Sequence, residues 1–185
     1  MKRVLVPLAP GFEEIEAITV IDILRRAGVS VTVAGTQAGP IEASRQTRHL
    51  PDCTLDEVRA EDFDMLVLPG GQPGTTNLRQ DPRVRQIIAV MQSRHCLLAA
   101  ICAAPTVLGA AGVLAGRKVT GHPSVHAELV TQAGQVCVAP VVVDGSIITS
   151  QSAGTALEFA FKLVELLCSP AQVVAVNAGV LADLT

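Results

Sequence analysis

One cysteine of this chain lies in a pattern that favours nucleophilic chemistry. Cys102 stands in "LLAAICAAP" (97–105), where an apolar segment passes into a predicted helix. A strand that turns sharply into a helix exposes a nucleophile and admits only small neighbours, such as Ala100 and Ala103. The helix N-terminus would lower the thiol pKa through its dipole and its free N–H groups. A cysteine that merely fills the core is the alternative at this point, because free cysteines are often buried.

Paired glycines and one glutamate could complete such a site. Gly70 and Gly71 end another apolar segment, where they could turn N–H groups toward an oxyanion or simply form a turn. Glu13 and Glu14 follow the first apolar segment, and acids in the first turn of a helix usually complement its dipole. Glu16 lies one turn in, among apolar residues. We expect desolvation to raise its pKa, so that it could carry a proton near neutrality.

The histidines offer weaker evidence for a site. His122 and His126 have the spacing of two metal ligands on one helix face. Pro123 occupies the first turn and the neighbouring sequence supplies no third ligand, so we expect no metal there. His49 and His95 lie in polar loop contexts and are expected to be solvated.

Strands and helices alternate along the chain, and this alternation predicts which residues share an edge. Strands that are apolar on both faces, separated by helices, are typical of an open, doubly wound α/β sheet. In such sheets the ligand crevice lies at the carboxyl ends of the strands, which is where the candidate residues fall. The predicted strands are 3–9, 29–35, 64–71, 96–101 and 118–121, with a hairpin at 136–150; the predicted helices are 13–27, 82–93, 103–114, 124–132, 155–168 and 171–182.

Length and composition narrow the class of protein. A chain of 185 residues that is 49% hydrophobic, with no Trp or Tyr, predicts one domain over residues 1–185 with an aliphatic core. The net charge of −3 and the scattered basic residues disfavour a nucleic-acid partner. Residues 96–116 are uncharged, but a proline and several glycines indicate a core segment rather than a membrane span. Five cysteines without paired spacing are typical of a reduced, cytoplasmic protein.

The motifs taken together resemble one family. "GFEEIEA", "VLPGG", "AAICAAP", "VTGHP" and "ITSQSAGTALEFA" are similar to the ThiJ/PfpI superfamily and, within it, to the branch of the Parkinson-disease-associated protein deglycase. The resemblance extends from about Arg3 to Leu167. It implies a flavodoxin-like α/β sandwich with a mostly parallel sheet and helices on both faces. It also implies a homodimer and an activity that needs no cofactor.

The resemblance assigns roles to individual residues. Cys102 matches the nucleophile on a strained elbow, Glu16 the protonated glutamate beside it and His122 a nearby histidine. The family also has oxyanion donors and arginines near the pocket, one of them across the dimer interface. These correspond to Gly70, Gly71, Ala103, Arg45 and Arg26.

The chain departs from the family pattern at several positions. Ala103 stands where the peptidase-like branches have a histidine, which disfavours a Cys-His peptidase. Ser152 and Ala153 stand where relatives often have Gly-Pro, so the fit of the substrate is left open. The role of residues 170–185 is open as well.

Three functions would use the same residues. In the first, Cys102 adds to a small 2-oxoaldehyde such as methylglyoxal, or to its early adducts, while Glu16 moves the proton. In the second, the protein is a redox sensor or stress chaperone, and the thiolate is oxidised to a sulfinate that Glu16 stabilises. The third, hydration of isonitriles or other small electrophiles, usually goes with a different acid at the Glu16 position.

Overall fold

Seven strands form a central sheet that is parallel except at one edge. The computed structural model of the chain describes residues 1–183. The sheet order is β10-β11-β7-β6-β1-β2-β5, and only β10 runs antiparallel to its neighbour. The strands are β1 (Arg3–Leu8), β2 (Ser30–Gly35), β3 (Ile41–Glu42), β4 (Arg48–His49), β5 (Cys53–Thr54), β6 (Met65–Leu68), β7 (Leu97–Ile101), β8 (Lys118–Val119), β9 (Gln135–Val136), β10 (Val141–Asp144) and β11 (Ile147–Ser150).

The strand order confirms the predicted flavodoxin-like fold. The five principal parallel strands, β2-β1-β6-β7-β11, have the order 2-1-3-4-5 of doubly wound flavodoxin-like sheets. The order reverses between β1 and β6, and ligands of such sheets bind outside the carboxyl ends of the strands at that point. Leu68 of β6 pairs with Ala100 of β7. Gly70 and Cys102, two residues further along each chain segment, therefore emerge side by side.

Helices cover both faces of the sheet. One apolar cluster lies between the sheet and α1, α6 and α7, and a second lies between the sheet and α2, α3, α4 and α5. The core is aliphatic with a few phenylalanines, as the composition predicts. The helices are α1 (Glu14–Arg26), α2 (Gly74–Gln80), α3 (Pro82–Ser93), α4 (Pro105–Ala110), α5 (His126–Gln132), α6 (Ala156–Leu167) and α7 (Pro170–Val180).

Two predicted helices have different bounds in the structure. The helix expected over 103–114 is limited to α4, and the chain then turns through Gly112 and Gly116, whose φ angles are 78° and 74°. The helix predicted over 124–132 begins only at His126, so Ser124 is not its cap. Instead the side chain of His122 caps a 3₁₀ turn over Pro123–Val125, and α5 begins only after that turn.

The remaining differences concern very short elements. β8 lies outside the central sheet and pairs with β9, while the predicted hairpin around Asp144 and Gly145 is confirmed as β10 and β11. The hairpin of β3 and β4, the two-residue strand β5 and the helix α2 are not predicted from the sequence. Two-residue strands carry no hydrophobic period, and α2 begins with "GTTN", whose residues favour helix weakly.

The C-terminal helix packs on another helix of the same chain. α7 lies against α6, and the Gln172 side chain donates to the carbonyl of Ala27, just past α1, at 3.3 Å. Val174 stays 71% exposed on its outer side. Of the helices within residues 1–183, none has both the length and the apolar character needed to cross a bilayer.

Candidate active site

Cys102 occupies a strained backbone position between β7 and α4. Its φ angle is 66°, in the left-handed region that non-glycine residues seldom adopt. Two backbone hydrogen bonds hold Cys102 in this conformation. Cys102 N donates to the carbonyl of Ser150 at 3.0 Å, and Cys102 O accepts from His122 N at 2.8 Å. A conformation that costs of order 1–3 kcal/mol persists because the neighbouring segments fix it. The sequence-predicted elbow is therefore present.

Glu16 is buried beside this elbow. The residue is 1% exposed, and its Oε2 accepts the N–H of Gly70 at 2.9 Å. Its own N–H donates to Glu13 Oε2 at 2.8 Å, so the residue that caps α1 also fixes the backbone of Glu16. Oε1 of Glu16 is buried and has no well-aligned hydrogen bond within residues 1–183. The Cys102 thiol is nevertheless close enough to act on the carboxyl group.

The pKa of Glu16 is raised to about 7, as the sequence predicts. Burial is the main cause, and the negative charge of Glu13 raises the pKa further. Hydrogen bonding with Cys102 and with the N–H groups of Gly70 and Ala153 acts in the opposite direction. Glu16 can therefore take up and release a proton near neutral pH.

The expectation of a lowered pKa at Cys102 is wrong. Burial, the charge of Glu16 and the hydrogen bond with Glu16 raise the thiol pKa to about 12. The N–H groups of Gly71 and Ala103 lower it, but by less. Two acidic groups this close do not both ionise readily, so Cys102 and Glu16 titrate as a pair that retains a proton at neutral pH.

The two glycines after β6 have different roles. The N–H of Gly70 is used by Glu16, so its predicted role as an oxyanion donor is corrected to one of positioning Glu16. A Cβ at Gly70 would lie 2.6 Å from both Cys102 Cβ and Glu16 Oε2, so only glycine lets these two side chains meet. Gly71 and Ala103 are left as the two N–H donors that face the sulfur.

An open cavity of about 370 Å³ lies over the sulfur. Its wall combines two acids, an arginine, a histidine and several neutral polar groups. Gln72 and Ser44 are lining residues that the sequence does not single out, and Ser124 is predicted only as a helix cap, although each lies one or two positions from a predicted site residue. The full lining is Glu13, Glu16, Ser44, Arg45, Gly71, Gln72, Cys102, Ala103, His122, Ser124, Ser152 and Ala153.

The two histidines at metal-ligand spacing have separate partners. His122 Nδ1 lies 3.2 Å from the backbone N of Ser124 and 2.8 Å from its Oγ, whereas His126 Nε2 lies 2.9 Å from the carbonyl oxygen of Gly121. His49 is half-buried rather than fully solvated, because its ring packs edge-on against Phe12 at 5.4 Å.

Of the two predicted pocket arginines, the structure brings one to the site. Arg45 lines the cavity, and its backbone N donates to Glu14 Oε1 at 2.8 Å, which ties the β3–β4 hairpin to α1. Arg26 instead forms an ion pair with Asp22 at 2.8 Å on α1 and is not part of the cavity wall. A role for Arg26 in the site would need a second chain and stays a prediction.

The fold and the site define a class: a flavodoxin-like α/β protein with a cysteine on a strained elbow beside a buried carboxyl group. The profile of the DJ-1/PfpI family matches residues 2–166, and the chain belongs to that family. It is 44% identical to the protein dj-1beta of Drosophila melanogaster over 97% of both chains. It is 38% identical to the glutathione-independent glyoxalase DJR-1.2 of Caenorhabditis elegans, over 91% of this chain and 90% of that protein.

Solved structures agree with this assignment. The crystal structure of Drosophila melanogaster DJ-1beta superposes with a TM-score of 0.95 and covers 98% of both chains. The oxidized form of Toxoplasma gondii DJ-1 has a TM-score of 0.93 at 33% identity, over 99% of this chain and all of that one. The sheet and both helical layers are thus those of the DJ-1 proteins.

Proposed function

We propose that this protein is a cofactor-independent enzyme that converts small 2-oxoaldehydes, such as methylglyoxal and glyoxal, into 2-hydroxy acids. The observation that carries the proposal is the Cys102–Glu16 pair, in which a nucleophilic sulfur touches a carboxyl group with a pKa of about 7. The name of the C. elegans relative, a glutathione-independent glyoxalase, supports the same reaction class. Early adducts of these aldehydes on amines or thiols are the other substrates that the site would take.

The first step forms a bond between the sulfur and the substrate. As the Cys102 sulfur attacks the aldehyde carbon C1, the thiol proton passes to Glu16, which can accept it because of its pKa. The electron pair of the carbonyl moves to the oxygen, where the N–H groups of Gly71 and Ala103 stabilise the negative charge. Glu16 then protonates this oxygen, which gives a neutral hemithioacetal and restores the Glu16 carboxylate.

The second step moves a hydrogen within the substrate. The Glu16 carboxylate removes the proton from C1, and the electrons pass through an enediol to the oxygen on C2. Glu16 returns this proton to C2, and the hydroxyl proton of C1 passes to the oxygen on C2, which leaves C1 oxidised to a thioester on Cys102 and C2 reduced to an alcohol. Water then cleaves the carbon–sulfur bond, releases the 2-hydroxy acid and regenerates the thiol. The net reaction adds one water to the oxoaldehyde.

The parent protein and the variant Cys102→Ala together test this proposal. We expect purified protein to turn over methylglyoxal to lactate without glutathione, and we expect Cys102→Ala to lose this activity. The variant is purified identically, so residual activity in it reports contaminating glyoxalase. Equal rates in the two preparations would exclude Cys102 as the nucleophile.

A second candidate function is redox sensing or stress chaperone activity. One relative was solved in an oxidized form, and the Cys102–Glu16 contact would stabilise a sulfinate if Glu16 donates a hydrogen bond. Peroxide titration followed by peptide mass analysis distinguishes this function. The sensor hypothesis requires selective sulfinate formation at Cys102 in protein that shows no steady-state turnover.

We further propose that the chain, as one cytoplasmic domain over residues 1–185, pairs into a homodimer through α1. Ile15 and Ile18 on that helix are 56% and 37% exposed, and they line an apolar groove of about 610 Å³ together with Leu157 and Val180. Exposed apolar faces of this kind are commonly covered by a partner. Glu14 also lines this groove and accepts from Arg45 N at 2.8 Å, so the proposed interface would lie beside the cavity rim.

A further inference from the structure

His122 lies at the cavity wall, and the turn that follows it fixes which ring nitrogen carries the proton. The backbone N–H of Ser124 donates to His122 Nδ1 at 3.2 Å, and Ser124 Oγ lies 2.8 Å from the same nitrogen. A backbone N–H cannot accept a hydrogen bond. A proton on Nδ1 would therefore point directly at another proton.

We propose that Ser124 holds the neutral His122 ring in the Nε2–H tautomer, so that His122 acts as a hydrogen-bond donor to the substrate and not as a base. Nδ1 accepts the Ser124 N–H and lies beside the Ser124 hydroxyl, which leaves Nε2 as the nitrogen with no hydrogen-bond partner within residues 1–183. In neutral imidazole the nitrogen that does not accept must carry the hydrogen. Ser124 is thus a positioning residue.

The loop that carries His122 is anchored independently of this contact. The backbone N–H of His122 donates to the carbonyl of Cys102 at 2.8 Å, so the backbone of His122 is attached directly to the elbow. His126 Nε2 lies 2.9 Å from the carbonyl oxygen of Gly121, which fixes the other end of the turn. Loss of the Ser124 hydroxyl should therefore leave the loop in place.

The catalytic consequence rests on the proposed function. A donor at Nε2 would stabilise the oxygen on C2 of the oxoaldehyde when it becomes negative, while proton removal is left to Glu16. The chain thus divides the two tasks: Glu16 moves protons and His122 supplies a fixed donor. The tautomer itself is a property of the free protein and can be measured without substrate.

Nitrogen NMR on protein labelled with ¹⁵N-histidine tests the tautomer directly. The sequence has four histidines, and the His122 signals are identified by their loss in His122→Gln. At a pH where the ring is neutral, we expect His122 Nδ1 to resonate as unprotonated and Nε2 as protonated, like His126. A protonated Nδ1, or signals averaged between both tautomers, would overturn the proposal whatever the activity.

Variants at position 124 test whether Ser124 is the cause. Ser124→Thr keeps the hydroxyl and the N–H and should keep the spectrum of the parent. Ser124→Ala removes the hydroxyl but keeps the backbone N–H of residue 124, so we expect Nδ1 of His122 to stay unprotonated, as in the parent. If Nδ1 becomes protonated in the folded Ala variant, the backbone N–H does not fix the tautomer and the proposal fails.

Two substitutions of His122 test the donor role in turnover. The amide nitrogen of Gln can replace Nε2 and that of Asn can replace Nδ1, so His122→Gln should lose only a few-fold of kcat. His122→Asn should lose at least about tenfold, the size of one lost hydrogen bond to a charged group. Equal losses would refute the donor role, while absence of turnover in the parent protein would instead refute the proposed function.

Discussion

Replacing Glu16 with glutamine should change the acidity of Cys102 and the rate of turnover in opposite senses. The amide is nearly isosteric with the carboxyl group and keeps an acceptor for the N–H of Gly70, which Glu16 binds at 2.9 Å. It removes the negative charge and the titrating proton. Burial and the charge of Glu16 raise the thiol pKa of Cys102, so removal of the charge should lower that pKa from about 12 toward the ordinary thiol value of about 8.5.

The size of the fall follows from the closeness of the pair. Two unit charges about 4 Å apart at an effective dielectric constant of about 20 interact by about 4 kcal/mol. That energy corresponds to roughly a thousandfold change in an acidity constant and is an upper value, because burial of Cys102 continues to oppose ionisation. Turnover of 2-oxoaldehydes should fall by roughly a hundredfold or more, the scale of a lost general acid–base group.

The thiolate is measured by its ultraviolet absorbance during a pH titration, with Cys102→Ala subtracted to remove the other four cysteines. Steady-state lactate formation gives the rate in the same preparations. We expect more thiolate and less turnover in Glu16→Gln than in the parent. A thiol pKa that stays at the parental value or rises would refute the charge interaction between the two residues. Parental turnover in Glu16→Gln would refute the role of Glu16 as the proton carrier.

Three further properties are open to test: the pH dependence of stability, the need for glycine at position 70 and the proposed homodimer. Glu16 keeps its proton to about pH 7 in the folded state but only to about its ordinary pKa of 4.5 when unfolded, so stability should fall as pH rises between these values. Urea unfolding should show that the free energy of unfolding falls by roughly 3 kcal/mol over this pH range in the parent and does not fall in Glu16→Gln. A free energy of unfolding that does not change with pH in the parent would contradict this prediction. Gly70→Ala should abolish turnover and destabilise the fold by about 1–3 kcal/mol, because its Cβ would meet Cys102 Cβ at 2.6 Å; a fully active alanine variant would refute the contact. Ile18→Glu should convert a dimer into monomers in sedimentation velocity, whereas a monomeric parent at micromolar concentration would contradict the proposed interface.

The sequence is most informative where apolar runs and cap residues coincide. α3 is predicted over its full length because Pro82 begins it, and β7 is recognisable as an apolar run beside Cys102. The elbow follows from small residues around the cysteine, and the raised pKa of Glu16 follows from its apolar neighbours. These features depend on local sequence.

Features that depend on contacts across the sheet are not predicted. The N–H of Gly70 is used by Glu16, which lies 54 positions earlier in the chain, and no local pattern encodes that bond. The raised pKa of Cys102 arises from burial and from the same distant carboxyl group, which outweigh the nearby N–H groups. Likewise the partners of His122 and His126 are set by a 3₁₀ turn that the sequence analysis treated as helix.

Trapping the covalent intermediate on Cys102 tests the central claim most directly. Protein is mixed with methylglyoxal, quenched with acid within a single turnover and digested, and the peptide that contains residues 97–105 is weighed by mass spectrometry. We expect that this peptide gains the mass of one oxoaldehyde, that the adduct decays as lactate forms, and that neither occurs in Cys102→Ala. Lactate formed without any adduct on Cys102, or formed equally fast by Cys102→Ala, would contradict the claim.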